Sequence, residues 1–168
     1  MKDSELFQIK ELVCDKCNFE FSNLVIDSES QEYQACSFRL NSFEIIHRLS
    51  KITPTKIGQF VTIWKRNHKG ITTPFDYSDN FDFIIITSKS EENLGLFVLP
   101  KAVLLEKGII SNNNISGKRG IRVYPTWDIP TSKQAIKTQN WQLQYFYLIE
   151  NNSFDVESVK KLFNSTRL

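Results

Sequence analysis

Residues 81–87, FDFIIIT, constrain the fold of this chain more than any other stretch, because Phe83 to Ile86 are apolar at four consecutive positions. Successive side chains of a β-strand point to opposite faces of the sheet, so a half-buried strand alternates apolar and polar residues. A continuous β-branched and aromatic run therefore predicts a central strand covered on both faces. The chain must supply helices or further strands to cover each face.

Four other segments have the composition of strands, since each is rich in β-branched and aromatic residues and bounded by Gly, Pro, Asn or Ser. They are FEIIHRLSKI, QFVTIWKR, LGLFVLP and GIRVYP. Helices are predicted over residues 101–107, ended by Gly108 as a C-cap, and over residues 132–147, behind a Ser or Thr cap. The order predicts an α/β fold, an α+β sandwich in which helices flank a central mixed β-sheet, in one domain spanning residues 1–168.

The N-terminal and C-terminal parts of the pattern predict shorter elements. Residues 4–13 have helical spacing behind a cap at Asp3 or Ser4, and a last helix is expected after Asp155. Residues 19–26 fit either a strand or a helix, and residues 32–40 fit either a helix or an edge strand.

The composition excludes several classes of protein. Charged residues make up 24% of the chain and low-complexity runs are absent, which is typical of a globular protein. The N-terminus lacks the apolar core of a signal peptide, and no apolar run approaches the length of a membrane span. We therefore expect a soluble, cytoplasmic protein that makes no contact with a membrane.

Charge is unevenly distributed, although the chain has 21 basic and 19 acidic residues in total. Residues 1–46 contain four basic and nine acidic side chains, whereas residues 47–70 contain six basic and no acidic ones. Residues 101–140 contain seven basic and two acidic ones. A dense basic block without acids is typical of a surface that binds a polyanion. The alternative is a solvated strand edge protected by lysines.

The three cysteines, Cys14, Cys17 and Cys36, are expected to be reduced thiols, because their number is odd and no export signal is visible. The CDKC spacing raises the possibility of a zinc site or a redox pair, but no second CxxC or HxxxH completes four zinc ligands. Two thiols at the end of a helix are the preferred interpretation. No metal or cofactor is expected.

Five blocks occur in a characteristic order between residues 32 and 148: SKITPTKIGQFVTIWKR, FDFIII, FVLPK, GKRGIRVYP and QAIKTQNWQLQYF. Together they resemble the MepB family of small bacterial proteins. The resemblance implies a restriction-endonuclease-like core of the PD-(D/E)xK type with affinity for nucleic acid but without an intact nuclease centre. The N-terminal helix and the C-terminal tail lie outside the resemblance.

Asp82 and Lys101 are the candidates for a nuclease centre in such a fold. The chemistry requires two carboxylates that hold a divalent ion, with the second carboxylate two positions before a lysine that orients water. Leu99 occupies that position and cannot bind Mg²⁺, and Asp82 is more simply explained as a strand-start residue bonded to backbone. A nuclease using Mg²⁺ or Mn²⁺ would need a replacement carboxylate, for which the candidates are Glu32, Glu44 and Asp79.

The main hypothesis is a non-catalytic domain that binds single-stranded DNA or RNA through sequence-independent phosphate contacts. Tyr124, Trp127 and Trp141 are candidates for stacking on unpaired bases, although Trp141 lies on an apolar helix stripe. The alternatives are the metal-dependent nuclease and a regulatory domain that binds an acidic protein through the same surface. The predicted phosphate contacts are Arg48, Lys51, Lys56, Lys65, Arg66, Lys101, Lys118, Arg119 and Arg122.

Overall fold

The computed structural model describes residues 5–166. The strands are β1 (Phe21–Ile26), β2 (Cys36–Leu40), β3 (Phe43–Leu49), β4 (Lys51–Ile52), β5 (Gln59–Thr62), β6 (Trp64–Arg66), β7 (Thr72–Pro74), β8 (Phe83–Lys89), β9 (Leu94–Pro100), β10 (Gly120–Val123) and β11 (Phe146–Ile149). The α-helices are α1 (Glu5–Ile9), α2 (Asp15–Cys17), α3 (Lys101–Glu106), α4 (Lys133–Gln142) and α5 (Val156–Ser165). A π-helical turn, Lys10–Cys14, joins α1 to α2.

The central sheet has six strands in the order β1-β2-β3-β8-β9-β11. β3 and β8 are parallel, and the other neighbouring pairs are antiparallel. β8 carries the consecutive apolar residues and lies inside the sheet, and each of its residues except Lys89 is buried. The predicted mixed sheet and the two-sided burial of its central strand are confirmed.

The two faces of this sheet form separate apolar clusters. Phe83 and Ile85 of β8 belong to one cluster, together with residues of α1, α2 and α5, among them Phe163. Ile84 and Ile86 point the other way and pack with residues of β5, β10 and α3. Helices therefore flank the sheet as predicted, and a smaller sheet shares the cover of the second face.

The smaller sheet has the order β10-β5-β4, and β6 and β7 form a separate hairpin. Residues 53–58, which include the TPTKIG turn, connect β4 to β5. Gly58 has a φ of +85°, and a Cβ at this position would lie 2.7 Å from ring atoms of Tyr124. Glycine is therefore required for the turn to approach the end of β10.

Two predicted helix caps are confirmed, and one predicted helix is too long. Ser132 Oγ accepts from Ala135 N at 3.1 Å, and Asp155 Oδ1 accepts from Ser158 N at 3.1 Å. The helix expected over residues 132–147 ends at Gln142, and a 3₁₀ turn leads into β11. Pairing of β11 with β9 at the sheet edge overrides the helical pattern of those residues.

The two segments whose patterns fitted either a helix or a strand each contain a strand. Residues 19–26 contain strand β1, and residues 32–40 contain the end of a 3₁₀ turn, Gln31–Tyr33, and strand β2. The N-terminal helix is described from Glu5 and continues through α2, while its proposed cap at Asp3 or Ser4 lies outside the described residues. None of the helices within residues 5–166 has the length and apolar character needed to cross a bilayer.

The cysteines are free, buried thiols. Cys14 and Cys17 end the π-helical turn and α2, which agrees with the preferred interpretation. In the described part of the chain, no group of three or more His, Cys, Asp or Glu side chains is arranged to hold a metal ion.

Candidate nucleic-acid interface

Cations of the basic block, residues 47–70, form ion pairs with the acidic segment that follows β1. Arg66 Nε donates to both carboxylate oxygens of Glu29, at 2.6 and 2.8 Å. Lys51 Nζ lies 3.3 Å from Glu32 Oε2 and 5.1 Å from the ring centroid of Tyr33. Part of the positive charge of residues 47–70 is therefore neutralised within the molecule.

Arg48 lies beneath the surface rather than on it, with 3% of the residue exposed. Its Nη1 donates to the His47 carbonyl at 2.8 Å and lies 3.5 Å from Asp27 Oδ2. The structure thus buries this predicted phosphate contact instead of exposing it on the surface.

Lys65 and Lys101 both bind Asp79. Lys65 Nζ donates to the Asp79 carboxylate, and Lys101 Nζ donates to the Asp79 backbone carbonyl. Lys101 Nζ also lies 4.7 Å from the ring centroid of Phe81 and 5.2 Å from that of Tyr77, within the range of a cation–π contact. Both ammonium groups are therefore held against the segment that precedes β8.

The candidate nuclease residues do not assemble a metal site. Asp82 Oδ2 accepts from Glu44 N at 2.8 Å, so the expected backbone partner is present, although it belongs to β3. The Glu44 carboxylate accepts from Arg39 Nε at 2.9 Å. Leu99 is fully buried in β9, and no group of three or more His, Cys, Asp or Glu side chains within residues 5–166 is arranged to hold a metal ion.

Three other predicted cations, Lys56, Lys118 and Arg122, line one groove between β10 and α4. It consists of two adjoining depressions of about 410 and 280 Å³, which share Arg122 and Tyr124. Lys107 and Lys118 line the first depression, and Lys56 lines the second. Among the described residues that line it there is neither Asp nor Glu. We call this feature the basic groove.

The alternation of β10 places Arg122 at the groove. Ile121 and Val123 are buried, whereas Arg122 lies on the opposite face of the strand and is partly exposed. Its Nη1 donates to Thr53 Oγ1 at 3.0 Å and to the Gly58 carbonyl at 3.2 Å. These bonds join β10 to the turn that carries Lys56.

Gln142 connects the two walls of the groove. It is 1% exposed. Its Oε1 accepts from Tyr124 N at 2.9 Å, and its Nε2 donates to the Arg122 carbonyl at 3.0 Å. Because both bonds go to backbone, this α4 side chain fixes the end of β10 and the position of the Tyr124 ring.

Lys118 is placed by a close contact of two backbones. Its N–H donates to the Ile109 carbonyl at 2.8 Å, and a Cβ on the preceding Gly117 would lie 2.4 Å from that same carbonyl oxygen. Within residues 5–166, neither the Lys118 nor the Lys56 side chain makes a hydrogen bond or ion pair. Both ammonium groups are therefore available to a ligand.

The Arg119 side chain lies apart from that of Lys118. Its Nε and Nη2 donate to the Thr72 carbonyl of the β6–β7 hairpin at 3.3 and 3.1 Å. Adjacent residues of an extended segment point apart. The GKRGIR block therefore contributes Lys118 and Arg122 to the groove, but Arg119 to the hairpin.

The groove includes one cation that the sequence reasoning missed. Lys107 follows α3, and its Nζ lies 5.5 Å from the ring centroid of Trp141 and 4.0 Å from Glu106 Oε1. Its position just before Gly108, in the second basic region, was the available signal. Trp141 and Tyr124 line the groove, whereas the Trp127 ring packs 5.9 Å from that of Phe146.

Comparison with known proteins places the chain in a family. A family model described as MepB-like matches residues 27–148. The solved structure named as the crystal structure of MepB is similar with 33% identity and a TM-score of 0.76, over 84% of this chain and 97% of that chain.

A solved bacterial homing endonuclease, I-Ssp6803I, is similar with 12% identity and a TM-score of 0.45, over 98% of this chain and 99% of that chain. At that TM-score the restriction-endonuclease-like core remains a prediction. No curated protein matches the chain. The family model and the MepB structure both cover most of the chain, and the chain belongs to the MepB-like family.

Proposed function

We propose that the basic groove binds the phosphate backbone of single-stranded DNA or RNA without reading its sequence. One observation supports this proposal above all: Lys56, Lys107, Lys118 and Arg122 line a groove to which the described residues contribute no carboxylate. Like charges in one groove repel each other, and phosphate oxygens relieve that repulsion. A cytoplasmic location, where nucleic acid is abundant, is part of the proposal.

The groove walls favour a single strand over a duplex. Tyr124 and Trp141 both line the groove and are partly exposed. Stacking of an unpaired base on an aromatic ring contributes about 1–3 kcal/mol, and a duplex keeps its base faces hidden. The other predicted contacts are engaged elsewhere in the molecule, and the proposal does not require them: Arg48, Lys51, Lys65, Arg66, Lys101 and Arg119.

The test is the salt dependence of binding to a fluorescent oligodeoxythymidine, measured by anisotropy. Lys56→Ala combined with Lys118→Ala removes two cations that have no partner within residues 5–166, so the fold is retained. Each phosphate contact on a single strand contributes about 0.7 to the slope of log K against log salt. We expect weaker binding and a slope smaller by about 1.4.

The matched control removes the same charge from paired positions. Lys51→Ala combined with Arg66→Ala breaks the ion pairs with Glu32 and Glu29, and it also removes the Arg66 bond to the Gly70 carbonyl and two cation–π contacts. None of these partners lines the basic groove, so we expect this variant to bind like the wild type. An equal loss of affinity in both double variants would show that the basic groove is not the binding site. Absent binding, or binding that does not depend on salt, would contradict the function itself.

An acidic protein is the competing ligand for the same surface. Competition with poly-glutamate at equal charge concentration distinguishes nucleic acid from an acidic protein as the ligand. Poly-glutamate provides carboxylates but no nucleobases to stack on Tyr124 and Trp141. We expect it to displace the oligonucleotide poorly. Displacement at equal charge would favour a regulatory, protein-binding role instead.

A further inference from the structure

A second cavity, of about 370 Å³, lies between residues 27–30, strands β2 and β3, and the β6–β7 hairpin. It has no lining residue in common with the basic groove. Arg48, Asp27, Trp64 and Phe75 are among the residues that line it. We call it the Arg48 cavity.

The guanidinium of Arg48 is incompletely bonded for a buried cation. Its side chain is 4% exposed. Nη1 donates to the His47 carbonyl, but Nε is buried and has no hydrogen-bond partner within residues 5–166. A guanidinium carries five N–H donors, and a buried charge without full compensation destabilises the folded state. Burial accordingly lowers the pKa of Arg48 from its ordinary value.

Asp27 is a weak partner for this guanidinium. Its carboxylate lies 3.5 Å from Arg48 Nη1, beyond a normal hydrogen bond, and the side chain is 40% exposed. A carboxylate with this exposure keeps most of its hydration and is free to turn toward solvent. An anion with better geometry can therefore replace Asp27 at the guanidinium.

The other two cations that line the cavity are already paired. Lys65 Nζ donates to the Asp79 carboxylate, and Arg66 Nε donates to that of Glu29. Arg48 therefore has the weakest carboxylate partner of the three and is the cation open to an anion. Burial raises the pKa of the lining Cys36 thiol to about 12, so the thiol adds no negative charge near neutral pH.

The walls indicate what else the ligand contains. Trp64 and Phe75 present aromatic rings, and the centre of the Arg48 guanidinium lies 5.9 Å from the Phe75 ring centroid. The volume lies within the range of pockets that bind small molecules, which combine apolar rings with a few polar groups. We propose that the Arg48 cavity binds a small molecule in which a phosphate or carboxylate group adjoins a flat ring, and that this group displaces Asp27 from Arg48.

Three simple probes test the proposal: phenyl phosphate, benzoate and benzyl alcohol. Calorimetry measures their binding to the full chain, and the ¹⁵N–¹H resonance of Arg48 Nε reports contact at the guanidinium. We expect at least one anionic probe to bind and shift that resonance, and benzyl alcohol to do neither. Preference for phenyl phosphate or benzoate identifies which anionic group the site takes. Failure of both anions, or equal binding of benzyl alcohol, overturns the proposal.

Two substitutions change the affinity in opposite directions. Asp27→Asn removes the competing charge from a partly exposed position, so we expect the anionic probe to bind several-fold more tightly. Arg48→Met should abolish binding. If Arg48→Met fails to fold, unchanged or weaker binding to Asp27→Asn still overturns the proposal. The groove variant Lys56→Ala with Lys118→Ala should bind the probe normally, and loss of binding there would place the ligand in the basic groove instead.

Discussion

Lys51 and Lys56 lie on the same short stretch of chain, yet their surroundings differ. Lys51 contacts Glu32 and the ring of Tyr33, whereas Lys56 lines the basic groove and has no partner within residues 5–166. Exposed ion pairs contribute little to stability, but they occupy the cation. For a single residue, the absence of a nearby carboxylate therefore makes a basic side chain the stronger candidate for a contact with the ligand of the basic groove.

The buried side chain of His47 predicts a pH dependence of folding. It is fully buried, with Nε2 2.8 Å from Thr87 Oγ1 and Nδ1 3.7 Å from Cys36 Sγ. Burial lowers the pKa of His47 from 6.5 to about 4, with a smaller contribution from the charge of Arg48. Between these values the unfolded chain binds a proton that the folded chain does not, so the free energy of unfolding falls as pH decreases.

Urea denaturation at a series of pH values from 7 to 4 measures this effect. The contribution of His47 approaches a slope of about 1.4 kcal/mol per pH unit, and His47→Gln should remove it. His68→Gln, at an exposed position, is the matched control and should keep the wild-type slope. Identical slopes for wild type and His47→Gln would show that folding does not lower the pKa of His47.

At the scale of elements, the basic groove depends on how α4 meets β10. Each element is locally ordinary, with a Ser132 cap on the helix and alternating burial on the strand. Gln142 joins them through two bonds to backbone groups. A buried amide that satisfies both a donor and an acceptor leaves both unsatisfied when it is removed.

We expect Gln142→Ala to lower the free energy of unfolding by about 2 kcal/mol or more, since each unsatisfied buried group costs about 1–3 kcal/mol. In the absence of urea, Gln142→Ala should also weaken oligonucleotide binding, because Tyr124 loses the backbone hydrogen bond that positions it. Gln144→Ala, at an exposed position two residues further, should change stability by less than about 0.5 kcal/mol. Urea titration measures both variants, and similar values for the two would argue against this role of Gln142.

At the scale of the whole molecule, parts outside the family match complete the core. α1, α2 and α5 all lie outside residues 27–148, yet they cover one face of the central sheet. Phe163 of α5 is 1% exposed, and its ring centroid lies 4.3 Å from that of Phe83 and 5.2 Å from that of Phe43. These three helices therefore share one hydrophobic core with the central sheet.

Phe163→Ala should lower the free energy of unfolding by about 3–5 kcal/mol, because it removes a buried ring and leaves a cavity. Thermal and urea unfolding followed by circular dichroism measure the loss. Ile129→Ala, at a side chain that is 80% exposed, should stay within about 0.5 kcal/mol of the wild type. A small effect of Phe163→Ala would show that α5 is dispensable for the core.

The candidate site was only partly predictable from the sequence. Lys56, Lys118 and Arg122 were among the predicted contacts and do line the groove. Lys107 was missed because its one signal, membership of the second basic region, is shared by all seven basic residues of residues 101–140 and does not single it out. Arg119 was grouped with Lys118 as a neighbour in sequence, although the extended backbone sends the two side chains to different places.

Features that arise between near neighbours in the chain could be predicted from the sequence alone. The two-sided burial of β8 follows from four consecutive apolar residues, and the caps at Ser132 and Asp155 bond groups only three positions away. Which cations are neutralised depends on the tertiary fold, since Arg66 pairs with Glu29, 37 positions away in the chain. Coulomb attraction depends on distance in space, and the folded sheet sets that distance.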